Sequence, residues 1–164
     1  MYRPGHHGVA MLAYAPIGGV LAALGFELLA LCGGALVVGT TMAPDYDRRL
    51  DWLERRGPTH TVWFALGFGV LTGLFAAAVG PFVFALDAVL VFAFGFALGA
   101  FAVVVHLVSD ALTPAGVRPF APLSEATYAF EVQFATSAPG NYALLGVGVL
   151  VAALAFLVGG TLAG

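Results

Sequence analysis

The chain has 164 residues, 61% of them hydrophobic and 9% charged, with six basic residues against nine acidic ones and a formal net charge of −3. A soluble domain usually carries about a quarter charged residues, so this chain lacks the polar surface of a water-facing globule, and its long apolar runs require a bilayer as solvent. The six basic residues are all arginine and form no basic stripe, so there is no sign of nucleic-acid binding, and a single cysteine, Cys32, rules out an intrachain disulfide.

The first apolar run, 9–42, contains one charge, Glu27. As a single helix it would be about 50 Å long, against a hydrocarbon core of about 30 Å. It is therefore predicted to fold back at Gly25-Phe26-Glu27 into arms 9–25 and 27–42, as two full spans or as a re-entrant hairpin. Its start has a signal-peptide flavour but is too long and has no convincing cleavage site, so it reads as a retained helix. Pro16 with Gly18 and Gly19 is expected to kink the first arm, and Cys32 reads as a buried structural residue. Residues 43–59 are the most polar stretch, with four arginines and four acids, and Trp52 suggests an interfacial position. Thr59 reads as the N-cap of a third span, 60–80, which Gly80-Pro81 is expected to break. Asp87 reads as the N-cap of a fourth, 88–112, stopped by Thr113-Pro114. A second polar loop, 113–140, holds four prolines, and Asn141 reads as the cap of a fifth span, 141–162. The pairs Gly69/Gly73 and Gly95/Gly99, each four residues apart, allow helix backbones to approach closely. The predicted fold is all-α: one polytopic membrane helical bundle over 1–164, with about five transmembrane helices, compatible with a homo-oligomer.

In that topology the N-terminus and both polar loops share one face. Arg3, Arg48, Arg49, Arg55, Arg56 and Arg118 all lie there, and the positive-inside rule makes that face cytoplasmic in a multi-pass cell-membrane protein. The same face collects His6, His7, Asp45, Asp47, His60, His106 and Asp110, which include all four histidines. His106 and Asp110 are i and i+4 on a helix and project from one side. Asp45 and Asp47 can share a metal, or one can bind while the other orients a neighbour. His60 sits at a helix N-terminus, where the dipole disfavours imidazolium and keeps the ring available as a ligand. His6 and His7 are adjacent and point apart, so one of the two is the candidate. Each of these taken singly reads more readily as a solvated interfacial residue. Gathered at membrane depth, where ionisable groups are costly, they suit zinc or another divalent ion. Such an ion lowers the pKa of bound water to about 7 and polarises a phosphoryl or carbonyl oxygen.

Four segments occur in a telling order: Gly5-His6; Pro44-Asp45-Tyr46-Asp47; Arg56-Gly57-Pro58-Thr59-His60; and His106-Leu107-Val108-Ser109-Asp110-Ala111-Leu112-Thr113-Pro114-Ala115-Gly116-Val117. They resemble the YdjM-type family of membrane-bound metal-dependent hydrolases over roughly residues 5–121, the last segment being the most specific. That family is in turn distantly similar in motif order to the zinc-dependent phospholipase C and P1 nuclease group. The resemblance implies His6, Asp45, His60, His106 and Asp110 as metal ligands, with Asp47 a ligand or a residue orienting one. It implies Asp110 as a bridging carboxylate and Asp45 as a ligand or general base. Arg55 stands where the family usually has a histidine, and no further histidines remain, so one or two ions fit and three do not. The implied activity is hydrolysis of a phosphoester or related ester at the cytoplasmic face, with membrane lipid as partner and a lipid head group as one candidate substrate. Arg55, Arg56 and Arg118 would pair with an anionic substrate or simply set topology; Thr59 and Thr113 read as helix-end residues. The alternative is a non-enzymatic membrane scaffold or regulatory protein with a structural metal or none.

Overall fold

A computed structural model describes residues 1–50, 52 and 54–164, without the side chains of 133 and 134. Asp51 and Leu53, part of the polar 43–59 stretch, lie outside the described residues. The described residues form six α-helices: α1 (Arg3–Ala23), α2 (Glu27–Thr40), α3 (Val62–Phe84), α4 (Ala88–Ala111), the single turn α5 (Gln133–Thr136) and α6 (Ala138–Leu162). Two 3-10 turns, Pro44–Arg49 and Pro58–His60, lie between α2 and α3. No strand occurs among the described residues; one antiparallel bridge joins Val117 and Tyr128. The fold is thus an all-α membrane helical bundle, as composition predicts. By length and composition α3, α4 and α6 can each cross a membrane, and Glu27–Thr40 is apolar but shorter. Large apolar side chains such as Phe75, Phe82 and Leu154 stand on the outside of the bundle, where only lipid makes a suitable solvent.

α1 lies along α6 and α3 along α4, while α2 joins α1 to α4. Small residues set both seams. A Cβ at Gly8 would run into the Leu144 backbone of α6, and one at Gly159 into the Gly19 carbonyl. In the other seam a Cβ at Gly69 would stand 2.9 Å from the Phe96 carbonyl and one at Gly99 would overlap the Thr72 hydroxyl. That hydroxyl lies 2.9 Å from the Gly95 carbonyl across the seam, an interhelical hydrogen bond of the kind lipid favours. The buried cluster of Ala10, Tyr14, Val37, Leu98, Ala102 and Val105 joins α1, α2 and α4. Tyr14 closes it by donating its hydroxyl to the Ala30 carbonyl at 2.7 Å.

Several local expectations are corrected. α3 does not break at Gly80-Pro81 but runs through Pro81 to Phe84, ending at Ala85 with φ 54; a proline is tolerated in a membrane helix because neighbouring groups re-satisfy the freed backbone. The cap of α3 is Thr61, whose hydroxyl accepts from the Phe64 N–H at 3.2 Å, because Pro58 starts a 3-10 turn that takes Thr59 and His60 out of the helix. The cap of α6 is Ser137, accepting from the Gly140 N–H at 3.1 Å. Pro139 fits that first turn, and Asn141 falls inside the helix, fully buried. Cys32 is exposed on the side of the bundle rather than buried. Asp87 does cap α4, its carboxylate accepting from the Val89 N–H at 2.8 Å.

Candidate metal centre

The last turns of α4 present His106 and Asp110 from one face, and the chain after them is shaped to hold that face. The Thr113 hydroxyl donates to the Asp110 carbonyl at 2.8 Å, closing the helix. Gly116, at φ 60, turns the chain back; a Cβ there would stand 2.7 Å from the Tyr128 carbonyl, so conformation and space both require glycine. The turn aims the Gly116 carbonyl at Arg56, whose Nη1 donates to it at 3.0 Å. Arg56 itself has φ 58, an uncommon backbone state for a non-glycine residue. Its N–H donates to Asp47 Oδ2 at 2.8 Å and its Nη2 lies 3.2 Å from Asp110 Oδ1. One arginine therefore ties the 43–60 segment to the end of α4.

Four donor atoms from three segments converge. His60 Nε2 is 3.4 Å from His106 Nε2, 3.5 Å from Asp110 Oδ2 and 3.8 Å from Asp45 Oδ1. His106 Nε2 is 3.7 Å from Asp110 Oδ2 and 3.9 Å from Asp45 Oδ1. A tetrahedral zinc ion with bonds of about 2.0–2.1 Å has donor–donor edges of about 3.3–3.4 Å, so the His60, His106 and Asp110 atoms, 3.4–3.7 Å apart, nearly form such a cage, with Asp45 Oδ1 beside the two nitrogens. His6, from the second turn of α1, stacks on His106 with ring centroids 4.2 Å apart and planes 8° apart. Its Nε2 is 3.5 Å from the other Asp110 oxygen, Oδ1, which also faces the terminal amine of Met1 at 3.6 Å. Two groups of donors thus lie within metal-holding distance, His6/Asp45/His106 and His60/His106/Asp110.

The residues fit a cation on a second count. Both ring nitrogens of His6, Nδ1 of His106 and Asp110 Oδ2 are buried without a hydrogen bond, and buried polar atoms left unpaired are expensive. A divalent ion would satisfy several of them together. Asp47 stands behind His60: its Oδ2 is 3.4 Å from Nδ1, and the Thr59 hydroxyl is 3.0 Å from the same nitrogen. A proton on Nδ1 held from that side leaves the Nε2 lone pair facing the other donors, the carboxylate–histidine arrangement common around metals. Burial would raise the Asp45 pKa, but the approach of His60, the imidazole of His106 and the Arg48 guanidinium outweigh it and hold the carboxyl below its ordinary value.

The structure brings together all six residues named from the sequence, with Asp47 behind the cage rather than in either converging group. His7 is turned away from it, towards a separate pocket. Arg56 reaches the cluster, whereas Arg55 is exposed and Arg118 pairs outside with Glu125 and Glu54 at 2.7 and 3.5 Å. Sequence reasoning missed Asn141. Its side chain accepts from the Tyr2 N–H at 3.0 Å and donates to the carbonyls of Ala135 and Ser137 at 3.0 and 2.7 Å. A Cβ at Gly5 would collide with it, so Gly5 and Asn141 together fix the start of α1 and hence His6. A lone asparagine in an apolar span was the available signal.

Fold and site together define an all-helical membrane protein with a buried His/Asp centre suited to a metal ion. The chain belongs to the YdjM inner membrane protein family, whose profile matches residues 1–163. No curated protein and no solved structure matches it.

Proposed function

We propose that this protein is a membrane-embedded, divalent-metal-dependent hydrolase acting at the cytoplasmic face on a phosphoester or related ester, a lipid head group being the nearest candidate substrate. The observation that carries this is the approach of Asp45 and Asp110 oxygens to His60 Nε2 and His106 Nε2 at 3.5–3.9 Å, the two nitrogens being 3.4 Å apart, with Asp45 also lining a pocket. His60, His106, Asp45 and Asp110 would hold one ion, zinc by the chemistry of the donor set. The two Asp110 oxygens face different histidine groups, Oδ2 towards His60 and His106 and Oδ1 towards His6, so a second ion would be held on the His6 side. Bound there, a divalent ion supplies polarisation of a phosphoryl or carbonyl oxygen and acidification of water.

The chain's own residues would do the rest. Asp45, at the boundary between cage and pocket, acts as ligand or general base towards a water entering from the pocket side. Asp47 holds His60 in one tautomer, and Arg56 neutralises Asp110 and fixes the loop that follows it. We place five membrane crossings at α1, α2, α3, α4 and α6; α2, at 14 residues, is about 21 Å long and draws the bilayer thinner around it. Every arginine then lies at the cage end, which the positive-inside rule puts in the cytoplasm. The motif order also supports a distant kinship with the phospholipase C and P1 nuclease group.

A structural metal in a non-enzymatic scaffold is the second reading, favoured by one feature: the His60, His106 and Asp110 donors are fully buried, and structural sites are closed. The two separate in one assay. Zinc- or manganese-loaded protein in detergent should hydrolyse phosphodiester or phospholipid substrates, stop with chelator, and lose the activity in Asp45→Asn. Full metal loading with no turnover of any ester would leave the structural reading standing.

A further inference from the structure

Beside the cage, on the far side of Asp45, a pocket of about 220 Å³ opens between the start of α1, the end of α2 and the first 3-10 turn, lined among others by Arg3, His7, Asp45, Tyr46 and Arg49. Arg3 and His7 are one helical turn apart on α1 and face the same way. Arg49 lies over the Tyr46 ring, 5.1 Å from its centroid, a contact that steadies the guanidinium. The charge balance of this pocket is unlike that of its surroundings. Arg48, Arg56 and Arg118 each face a carboxylate, whereas no described carboxylate pairs with Arg3 or Arg49, nor with Arg55, which is exposed and lies outside this pocket's lining. The pocket's one acid, Asp45, is already met by Arg48 at 2.9 Å. The wider cavity on the opposite side of the site, bordered by Arg56, Arg118, Glu54 and Glu125, has its arginines matched by acids and offers no such surplus.

We propose that this pocket is an anion subsite for a phosphoryl group, held by Arg3 and Arg49 with His7, which delivers its ligand against Asp45. Guanidinium forks match phosphate oxygens better than any other side chain. The volume is below the about 300–1,000 Å³ of drug-sized ligand pockets, which selects a small phosphoryl head group over a nucleotide. That group could belong to a membrane phospholipid or to a soluble phosphate. As a substrate subsite the pocket rests on the hydrolase proposal; as an anion site it stands on a pocket lined by two arginines that no described carboxylate meets. Gly39 offers a second handle, because it lines the pocket and a Cβ on it meets nothing within 4 Å. A larger side chain there takes up space at the pocket's edge while every charged residue and every donor of the cage is retained.

The test measures binding of inorganic phosphate to the detergent-solubilised, metal-loaded protein by calorimetry, and of nanodiscs of phosphatidylcholine with or without phosphatidic acid. Wild type, Arg3→Gln/Arg49→Gln and Gly39→Leu are compared, with metal content read on each sample. Binding weaker by about tenfold or more in both variants, as loss of charge-assisted hydrogen bonds implies, with metal content unchanged, supports the subsite. Whichever of phosphate and phosphatidic acid binds more tightly then gives the source of the head group. Unchanged binding in the variants, or no binding of either ligand by metal-loaded wild type, overturns it. The hydrolase proposal fails separately, on a wild type that loads metal and turns over no ester.

Discussion

The two ends of the helical bundle are built from the same kind of apolar helix and are otherwise unlike. At one end α1 passes to α2, and α3 to α4, through three residues each, 24–26 and 85–87. Backbone geometry settles these turns, with Gly25 at φ 81 and Ala85 at φ 54, and the only charges near them are Glu27 and Asp87. At the other end the helices are joined by 41–61 and 112–137, and all four histidines and six arginines are found there. Short turns suffice where the chain has only to reverse. Long, polar, hydrogen-bonded segments appear where donors from separate parts of the sequence must be brought to one point and kept there. The candidate metal centre therefore sits at one end, and the opposite end and the glycine seams serve to hold it up.

The comparison can be broken by substitutions at each end. The largest effect is expected at the cage: His106→Ala removes a nitrogen facing both donor groups and should abolish stoichiometric metal binding in equilibrium dialysis, with helix content by circular dichroism retained. Asn141→Ala acts one step further out, through the start of α1. It should weaken metal binding about 10–100-fold, as supporting residues around metals typically do, while other ligands stay in place. Gly99→Leu lies in the α3–α4 seam, where the Thr72 hydroxyl fills the space. Overpacking there should lower stability by about 1–3 kcal/mol in detergent unfolding, without changing metal stoichiometry. At the opposite end, Asp87→Ala removes a helix cap and should lower stability by about 1 kcal/mol, leaving metal affinity untouched. A metal defect in that last variant would show that the two ends are not independent.

Acid gives a finer probe. The Asp45 carboxyl is held below its ordinary value by His60, His106 and Arg48 against the opposing effect of burial. A depressed folded pKa contributes stability that is fully present above the unfolded value of about 3.9 and is lost as pH falls through the folded value. The metal-free protein should therefore hold its stability from neutrality down to about pH 4 as far as this group is concerned, then lose it. Asp45→Asn should remove that acid-side dependence in a pH series of thermal unfolding.

Much of this was legible in the sequence, for a physical reason. In a chain this apolar each ionisable residue stands out, and the need to avoid placing charge in hydrocarbon sends them to the helix ends, so that counting spans puts every histidine and arginine at the same end without any three-dimensional information. The helical class followed from the same composition. The i, i+4 spacing of His106 and Asp110 gave a shared face directly. Finer points were decided by choices between neighbours. Thr59 and Thr61 are both plausible caps, and the 3-10 turn begun at Pro58 decides for Thr61. Asn141 looked like a cap because it follows a proline-rich loop, yet its partners include Tyr2, at the opposite end of the chain, which local pattern cannot reveal. The role of Arg56 depends on its φ of 58 and on the turn at Gly116, both tertiary facts. Pro81 misled because its usual helix-breaking effect is weaker in a membrane setting.

The central claim is that four side chains, gathered from distant parts of the sequence, form a metal cage. Elemental mass spectrometry of the detergent-purified protein tests it most directly, with wild type beside Asp110→Asn and no metal added beyond the growth medium. About one or two divalent ions per chain, lost in the variant while the fold is kept, is the predicted result. A well-folded wild type that carries no metal, and takes up neither zinc nor manganese on incubation, would contradict it.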